Sequence, residues 1–567
     1  MEREGSWARQ QLSRAWFEAR AARHQLIRAA AELRAPTPLG RRGGIDHLPV
    51  AGRSRTPLWS RSAEPAAERR LEAGKVQNLR VAARALHGRR FEAGEIFSFW
   101  RHVGRPTRRG GYALGREVRE GCLVPSVGGG LCQLSNALYD AALEAGFEIV
   151  ERHAHSVVVP GSLAERGRDA TVFWRYVDLR FTAPAPFGVE VALDATHLEV
   201  RLRGRGAAPT RVSLARRPEP TGSCDRCART GCVSRAPELA APVGRTAFLL
   251  DGVTPEIDDW LSGARRPGDR LLIPCDGQRW RRPRYAWTTA GFSRVDQALA
   301  LVARRALESR RLGSQGAARQ RALLAHDARL AGWMAARLGP EDTHLVVHQH
   351  LLPHLHREGA LGGRTFDVVM RRWPLRLLQA RLDEAARRHP ESPTLADFRA
   401  PAGLVADEEV ALARARRVIT PHAAIADAFG PRAVKLAWRV PRGAPARRGD
   451  AIAFLGPVVG REGAHALRDA ARGLPSPLIV GGRDLEGGFD WGRPVRAPGA
   501  DPLDGAAVVV APAWVPRDPS PLLRALGRGV PVIASPACGL RGLEGVTEIA
   551  PGDPRALGAA IRAAMDT

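Results

Sequence analysis

From residue 75 onward the hydrophobic positions recur with regular spacing. In VQNLRVAARALHGRR, Val76, Leu79, Val81, Ala83 and Leu86 fall near the period of an amphipathic helix. Leu134, Ala137, Leu138, Ala141 and Ala145 repeat that spacing, and Gly146 closes the run as a C-terminal glycine does. FEIVERHAHS then alternates as a strand and puts His153 and His155 on one face. From Arg245 the pattern changes. The apolar runs TAFLLDG, RLLIPCDG, THLVVHQH, FDVVMRR and RRVITPH alternate with helical patterns, and AIAFLG, SPLIVGG, AAVVVAPAW and VPVIASP form a second such series. Alternation of this kind predicts parallel sheets covered by helices on both faces. Two series predict two Rossmann-like domains with a ligand cleft between them. Before the first helix, residues 35–72 are rich in Pro, Gly, Arg and Ser and read as irregular chain.

The expected organisation is therefore multidomain. A basic N-terminal helix and irregular linker occupy 1–72, an α+β domain 73–205, and a cysteine-containing linker 206–243. Two Rossmann-like α/β domains follow over 244–440 and 441–567. A length of 567 residues and a hydrophobic content of 44% accommodate three or four buried cores. The net charge of +27 invites a nucleic-acid reading. Lysine occurs only at Lys75 and Lys435, however, and the arginines are spread over the whole chain without a recognisable nucleic-acid module, so no nucleic acid is expected.

No run approaches 18 apolar residues, and none is expected to cross a membrane. The N-terminus lacks the apolar core of a signal peptide. It reads as a basic amphipathic helix with Trp7, Leu12, Trp16, Leu26 and Ile27 among arginines. Two uses of such a helix stay open, contact with an anionic membrane surface and packing on the protein's own body. The odd count of seven cysteines, three of them grouped, suggests a reducing compartment. The expected location is the cytoplasm, with the inner membrane surface as the peripheral contact.

Chemistry concentrates first around Cys132. Gly128, Gly129 and Gly130 allow a tight turn, and Cys132 opens a helix, where the dipole favours a thiolate. His155 follows on the next strand, and Asp169 and Asp178 on later extended segments. One reading makes Cys132 a nucleophile, His155 its base and an aspartate the orienting group. The other makes Cys132 a small buried residue of the turn, with Gln133, Ser135 and Asn136 shaping a surface. The blocks EIFSFWRHVG, VPSVGGGLCQLSNALYDAALEAGFEIVERHAHS and GRDATVFWRYVDLRF, in that order, resemble the VanW family, named after an accessory protein of glycopeptide resistance. The resemblance implies a role in the cell envelope, with a glycan or cell-wall precursor as partner, and fixes no reaction.

Cys224, Cys227 and Cys232 form a C-x2-C-x4-C group. Zinc, an iron–sulfur cluster and free thiols are all compatible with it, since three local ligands need a distant fourth. His348, His350, His354 and His356 cluster near one strand end, and Arg371 and Trp373 near the next, as cleft candidates.

Residues 451–567, with AIAFLGPVVGREGAHAL, PLIVGG, VVVAPAW, PSPLLRALGRGVPVIASPACGL and GVTEIAPGDPRALGAAI in order, resemble the nucleotide-binding half of GT-B glycosyltransferases. LARARRVITPHAAIADAFG resembles the segment that closes the acceptor half. The resemblance implies a nucleotide-sugar substrate held near Gly456, Arg461, Gly463, Arg524 and Ser535, with helix N-termini after Gly456 and Ser535. Pro516 and Arg524 stand where retaining members carry two glutamates, and Pro457 and Glu462 where they carry the diphosphate-binding arginine and lysine. Glu462 is expected to repel a diphosphate, and Arg461 to stand in for a missing cation. The donor site is thus degenerate relative to that family.

Overall fold

The computed structural model describes residues 19, 22–30, 32–34, 37–59, 66–119, 122–155, 157–158, 162–174, 176–210, 219–220, 244–313, 316–515 and 517–566. Cys224, Cys227, Cys232, Trp7, Leu12, Trp16 and Pro516 lie outside them. The chain forms two compact units. The first comprises residues 1–245, 338–343 and 358–364, and the second 246–337, 344–357 and 365–567.

The first unit is built on a five-stranded antiparallel sheet in the order Arg41–Arg42, Arg89–Phe91, Phe187–Leu193, His197–Gly204, Val50–Pro57. The strand Val50–Pro57 arises within the stretch expected to be irregular. Helix Ala66–Leu86 likewise begins before the predicted first turn. Helix Cys132–Glu144 packs on Val50–Pro57, and the approach is close. A Cβ at Gly52 would lie 2.1 Å from the Ala141 carbonyl oxygen. The core beneath is aromatic, with Phe91 and Phe187 stacked at 4.8 Å and Phe97 and Phe181 at 4.5 Å. A small sheet of Phe97–Ser98, Arg180–Thr182 and Glu148–Glu151 pairs segments of the three blocks quoted above.

The second unit contains two parallel sheets. Seven strands lie in the order Arg294–Gln297, Arg270–Ile273, Arg245–Leu249, Asp342–His348, Thr365–Val369, Arg417–Thr420, Ala433–Lys435. Six more lie in the order Val495–Arg496, Leu478–Val480, Ala451–Phe454, Ala506–Ala511, Val532–Ala534, Val546–Glu548. Counted along the chain, the second sheet runs 3-2-1-4-5-6, and the first adds a seventh strand to the same order. That is the doubly wound Rossmann topology, in which ligands bind beyond the carboxyl ends of strands 1 and 4. The strands are apolar on both faces, as sheets covered on both sides require.

Candidate functional site

The turn before Cys132 is shaped by close approach. Gly128 and Gly130 adopt φ of +84° and +93°, and a Cβ at Gly130 would meet Lys75 Cγ at 2.2 Å. Cys132 is the first residue of its helix. In that first turn its own N–H has no intrahelical carbonyl to bond. One turn on, Ser135 Oγ donates to the Ala170 carbonyl at 2.6 Å, and Asn136 Oδ1 accepts from Ala170 N at 2.8 Å. These bonds pin the Asp169–Val172 segment alongside the helix, with Thr171 Oγ1 and the Val172 carbonyl each 3.9 Å from Cys132 Sγ.

The segment brings Asp169 under His155. Asp169 Oδ2 lies 2.7 Å from His155 Nδ1 and also accepts from His155 N at 2.7 Å. Arg152 Nη2 donates to the other carboxylate oxygen at 2.8 Å. With Nδ1 held by the acid, the opposite ring nitrogen is the one left for other partners, and His155 and Cys132 influence each other's protonation. Burial works against charge on every member, yet the pairings outweigh it. Asp169 and Cys132 lift His155 to about 9. The His155 hydrogen bond and charge bring the half-buried Cys132 thiol below its ordinary value, and His155 likewise holds Asp169 low. The arrangement sets a thiol, an imidazole and a carboxylate in the order that a cysteine nucleophile, its base and an orienting acid would take.

Asp178 does not join it. Its carboxylate accepts from Ser98 Oγ at 2.6 Å and Trp100 N at 3.1 Å, and it caps the short helix Phe99–Val103 from a site 2% exposed. Only the first of the two candidate acids therefore meets the histidine. His153 also departs from expectation. The strand ends at Glu151, and His153 is half exposed with Nε2 3.5 Å from Glu151. Arg152, turned to Asp169, ends the alternation there.

In the second unit the candidate donor residues gather at the switch point of the six-stranded sheet, except one. Gly456 follows strand Ala451–Phe454. Arg461 lies in the turn Gly460–Glu462, where its carbonyl accepts from Trp514 N at 2.9 Å, and Gly463, at φ +85°, opens helix Ala464–Ala471. Ser535 spends its hydroxyl on the Ala513 carbonyl at 2.5 Å, and the helix expected after it is a single turn, Pro536–Cys538. Arg524 is exposed, because Leu522, Leu523 and Ala525 take the buried side of its helix. The cation against the turn is Arg517, which the sequence reading missed. A Cβ on Gly456 would meet its Nη1 at 2.8 Å. Arg517 Nε lies 3.2 Å from Glu462 Oε2, both side chains being buried. Glu462 is thus neutralised by a partner rather than left to repel an anion.

At the switch point of the seven-stranded sheet sits a second residue that the sequence reading missed, Asp251. Its Oδ2 is 3.3 Å from His350 Nε2 and 3.4 Å from Arg305 Nη1, and its N–H donates to His348 Nδ1 at 2.9 Å. The position two residues beyond a strand end is the signal that could have found it. His354 lies in helix Leu352–Arg357 and Trp373 is buried. The carboxyl ends of the two sheets meet, with Arg371 Nη2 3.7 Å from Asp518 and His422 Nε2 3.0 Å from the Ala537 carbonyl.

Residues 74–203 match the family described as VanW like protein. Over 107 residues the chain is 40% identical to an uncharacterised protein, YoaR, of Bacillus subtilis, covering 19% of this chain and 35% of that one. Over 109 residues it is 38% identical to the vancomycin B-type resistance protein VanW of Enterococcus faecalis, covering 19% and 40%. The chain thus spans well under half the length of the curated relatives it matches. Among solved structures it resembles Anabaena Alr3699/HepE in complex with UDP and glucose, at 15% identity and a TM-score of 0.32, covering 57% of this chain and 90% of that one. It also resembles the lipopolysaccharide outer core galactosyltransferase WaaB, at 13% identity and a TM-score of 0.33 over 57% and 90%. The chain carries a VanW-like domain, and its two parallel sheets each have the doubly wound Rossmann strand order. Among the described residues no helix is long and apolar enough to cross a membrane.

Proposed function

We propose that the chain processes a cell-envelope glycan or its precursor, with a thiol acyl-transfer site in the VanW-like domain and a nucleotide-sugar-binding C-terminal half. The observation that carries this reading is the bond from His155 Nδ1 to Asp169, 2.7 Å long, on a histidine whose protonation Cys132 influences. Three groups in that order do what a nucleophilic thiol requires. The Cys132 thiolate attacks an amide or ester carbonyl. The C–S bond forms, and the Cys132 N–H in the first helical turn is placed for the developing oxyanion. The imidazolium of His155 then gives its proton to the departing amine or alcohol as the C–N or C–O bond breaks. Water or an acceptor amine, deprotonated by His155, attacks the thioester and restores the thiol. Asp169 holds the ring in the required tautomer throughout. The similarity to the vancomycin B-type resistance protein VanW supports an envelope substrate, and peptidoglycan-related amides or esters are the class to try.

The experiment is to incubate the protein with peptidoglycan fragments and with simple acyl esters, and to look for an acyl adduct by peptide mass spectrometry. An adduct on Cys132 that is lost in Cys132→Ser, and turnover lowered roughly 10²- to 10⁴-fold in His155→Ala, is the expected result. Turnover untouched by Cys132→Ser would remove the thiol from the chemistry.

The nucleotide-sugar half rests on a separate observation, the packing of Arg517 against Gly456 at the switch point. No zinc or iron–sulfur role enters the reading. Membrane contact rests on the N-terminal helix, where Leu26 and Leu33 are 73% and 85% exposed while Arg28 pairs with Glu151. Binding to anionic vesicles that Leu26→Glu and Leu33→Glu abolish is the outcome that supports it.

A further inference from the structure

Helix Leu375–Arg388 ends at His389, whose φ of −131° leaves the helical region. Two residues later the half-exposed Glu391 reaches two imidazoles. Its Oε1 lies 3.5 Å from His389 Nδ1 and 3.3 Å from His465 Nδ1. His465 is the second residue of helix Ala464–Ala471 and is 2% exposed, and neither of its ring nitrogens has a hydrogen-bond partner. An imidazole buried with both nitrogens bare is costly and calls for a ligand. One donor atom from each of the three residues lies within 4.8 Å of the other two. A tetrahedral zinc with bonds of about 2.05 Å has donor-to-donor edges of about 3.3 Å, close to the separation on both sides of Oε1.

We propose that His389, Glu391 and His465 form a zinc site, with solvent at the fourth position, that staples the loop after His389 to the donor-side domain. The same loop carries Ser392 and Thr394, which both donate to Glu486, the Ser392 bond being 2.8 Å long. Glu486 in turn accepts from Gly460 N at 2.6 Å, in the turn beside Arg461. Zinc therefore fixes the outer wall of the Gly456–Gly463 turn. The rings lie 13° from parallel with centroids 4.6 Å apart, so one of them, the less buried His389, turns about its Cβ–Cγ bond to bind. Arg468, 3.9 Å from Glu391, already has Asp469 at 2.9 Å as counter-charge. The other clustered donors, Asp251, Asp327 and His350, do not suit a cation. Arg305 and Arg284 stand 3.4 and 3.5 Å from the Asp251 carboxylate.

The test uses the untagged full chain with Cys224, Cys227 and Cys232 replaced by serine, so that thiols do not compete. Loaded with zinc and desalted, it should retain about one ion per chain by atomic absorption. Cobalt in its place should give a visible band without sulfur charge transfer. Glu391→Gln and His389→Ala should each weaken zinc roughly 100-fold, and in Glu391→Gln, at a half-exposed position, the thermal midpoint of the metal-free protein should be unchanged. Zinc absent from the folded serine chain overturns the site, and so does full affinity in both variants. Should the serine chain not fold, the comparison moves to the wild-type cysteines. There Glu391→Gln should remove the non-thiolate part of the cobalt spectrum, and an unchanged spectrum refutes the proposal.

Discussion

The thiol at residue 132 is governed by opposed effects, burial, which raises its pKa, and the contacts with His155, Val172 and Thr171, which together lower it further than burial raises it. The sign of a substitution follows. In the wild type, alkylation of Cys132 by iodoacetamide, followed by site-resolved mass spectrometry, should show an inflection below the ordinary pH 9. In His155→Ala burial is opposed only by the Val172 and Thr171 contacts, and the inflection should rise. Asp169→Asn should move it up by less, since the imidazole stays but loses the carboxylate that raises it to about 9. Above about pH 9 the imidazolium deprotonates, so turnover that needs it as an acid should fall there. An inflection that ignores His155 would mean that the two side chains do not interact in solution. The cysteine and histidine were legible in the sequence because a glycine turn, a helix start and a following β-like segment are local signals. The choice of acid was not. Asp169 and Asp178 stand in similar extended contexts, and what separates them is Ser98 and Trp100, about eighty residues earlier, closing on Asp178.

Among the elements, the two parallel sheets could be read directly, since strands buried on both faces appear as unbroken apolar runs such as AIAF and AAVVVA. The antiparallel sheet could not. Its edge strand Val50–Pro57 reads VAGRSRTP, with one half-buried face, and its polar residues look like loop. That strand is nonetheless where helix Cys132–Glu144 is seated. Arg53 N donates to Glu144 at 2.6 Å, Ser54 Oγ to Asp140 at 2.7 Å, and Gln133 Nε2 to Thr56 Oγ1 at 3.0 Å. Gly52 lets the helix come this near. Gly52→Ala should force helix and strand apart, because its methyl would overlap the main chain at Ala141. A cost of about 1–3 kcal/mol is expected in denaturant titration. Cys132 reactivity should fall with it, as the helix shifts from His155. A variant as stable and reactive as wild type would mean that the contact is looser than the geometry indicates.

At the scale of the molecule the question is whether the C-terminal half, if it binds the proposed nucleotide sugar, also transfers the sugar. The six-stranded sheet presents its switch point with glycines, main-chain N–H groups and a buried cation, Arg517, whose Nη1 is fully enclosed and has no partner. That is a site ready for phosphate. The pair of acids that the GT-B resemblance calls for is absent from it. Position 516 is proline, and Arg524 points outward on its helix. UDP should therefore bind, and Arg517→Lys, which keeps the charge but loses the planar fork, should weaken it roughly tenfold by calorimetry. Glu462→Gln should leave UDP affinity equal or higher, because Arg517 is then freed from its carboxylate at 3.2 Å. Alanine at 517 is the poorer choice, since it strands Glu462 as a buried carboxylate without its cation. Transfer from a common UDP- or GDP-hexose should be slow or absent, and Arg524→Glu should not restore it, since an exposed carboxylate cannot reach the sugar. Fast transfer by the wild type would show that the acid comes from elsewhere, and Asp251, at the facing switch point with His350 beside it, is the residue to replace first.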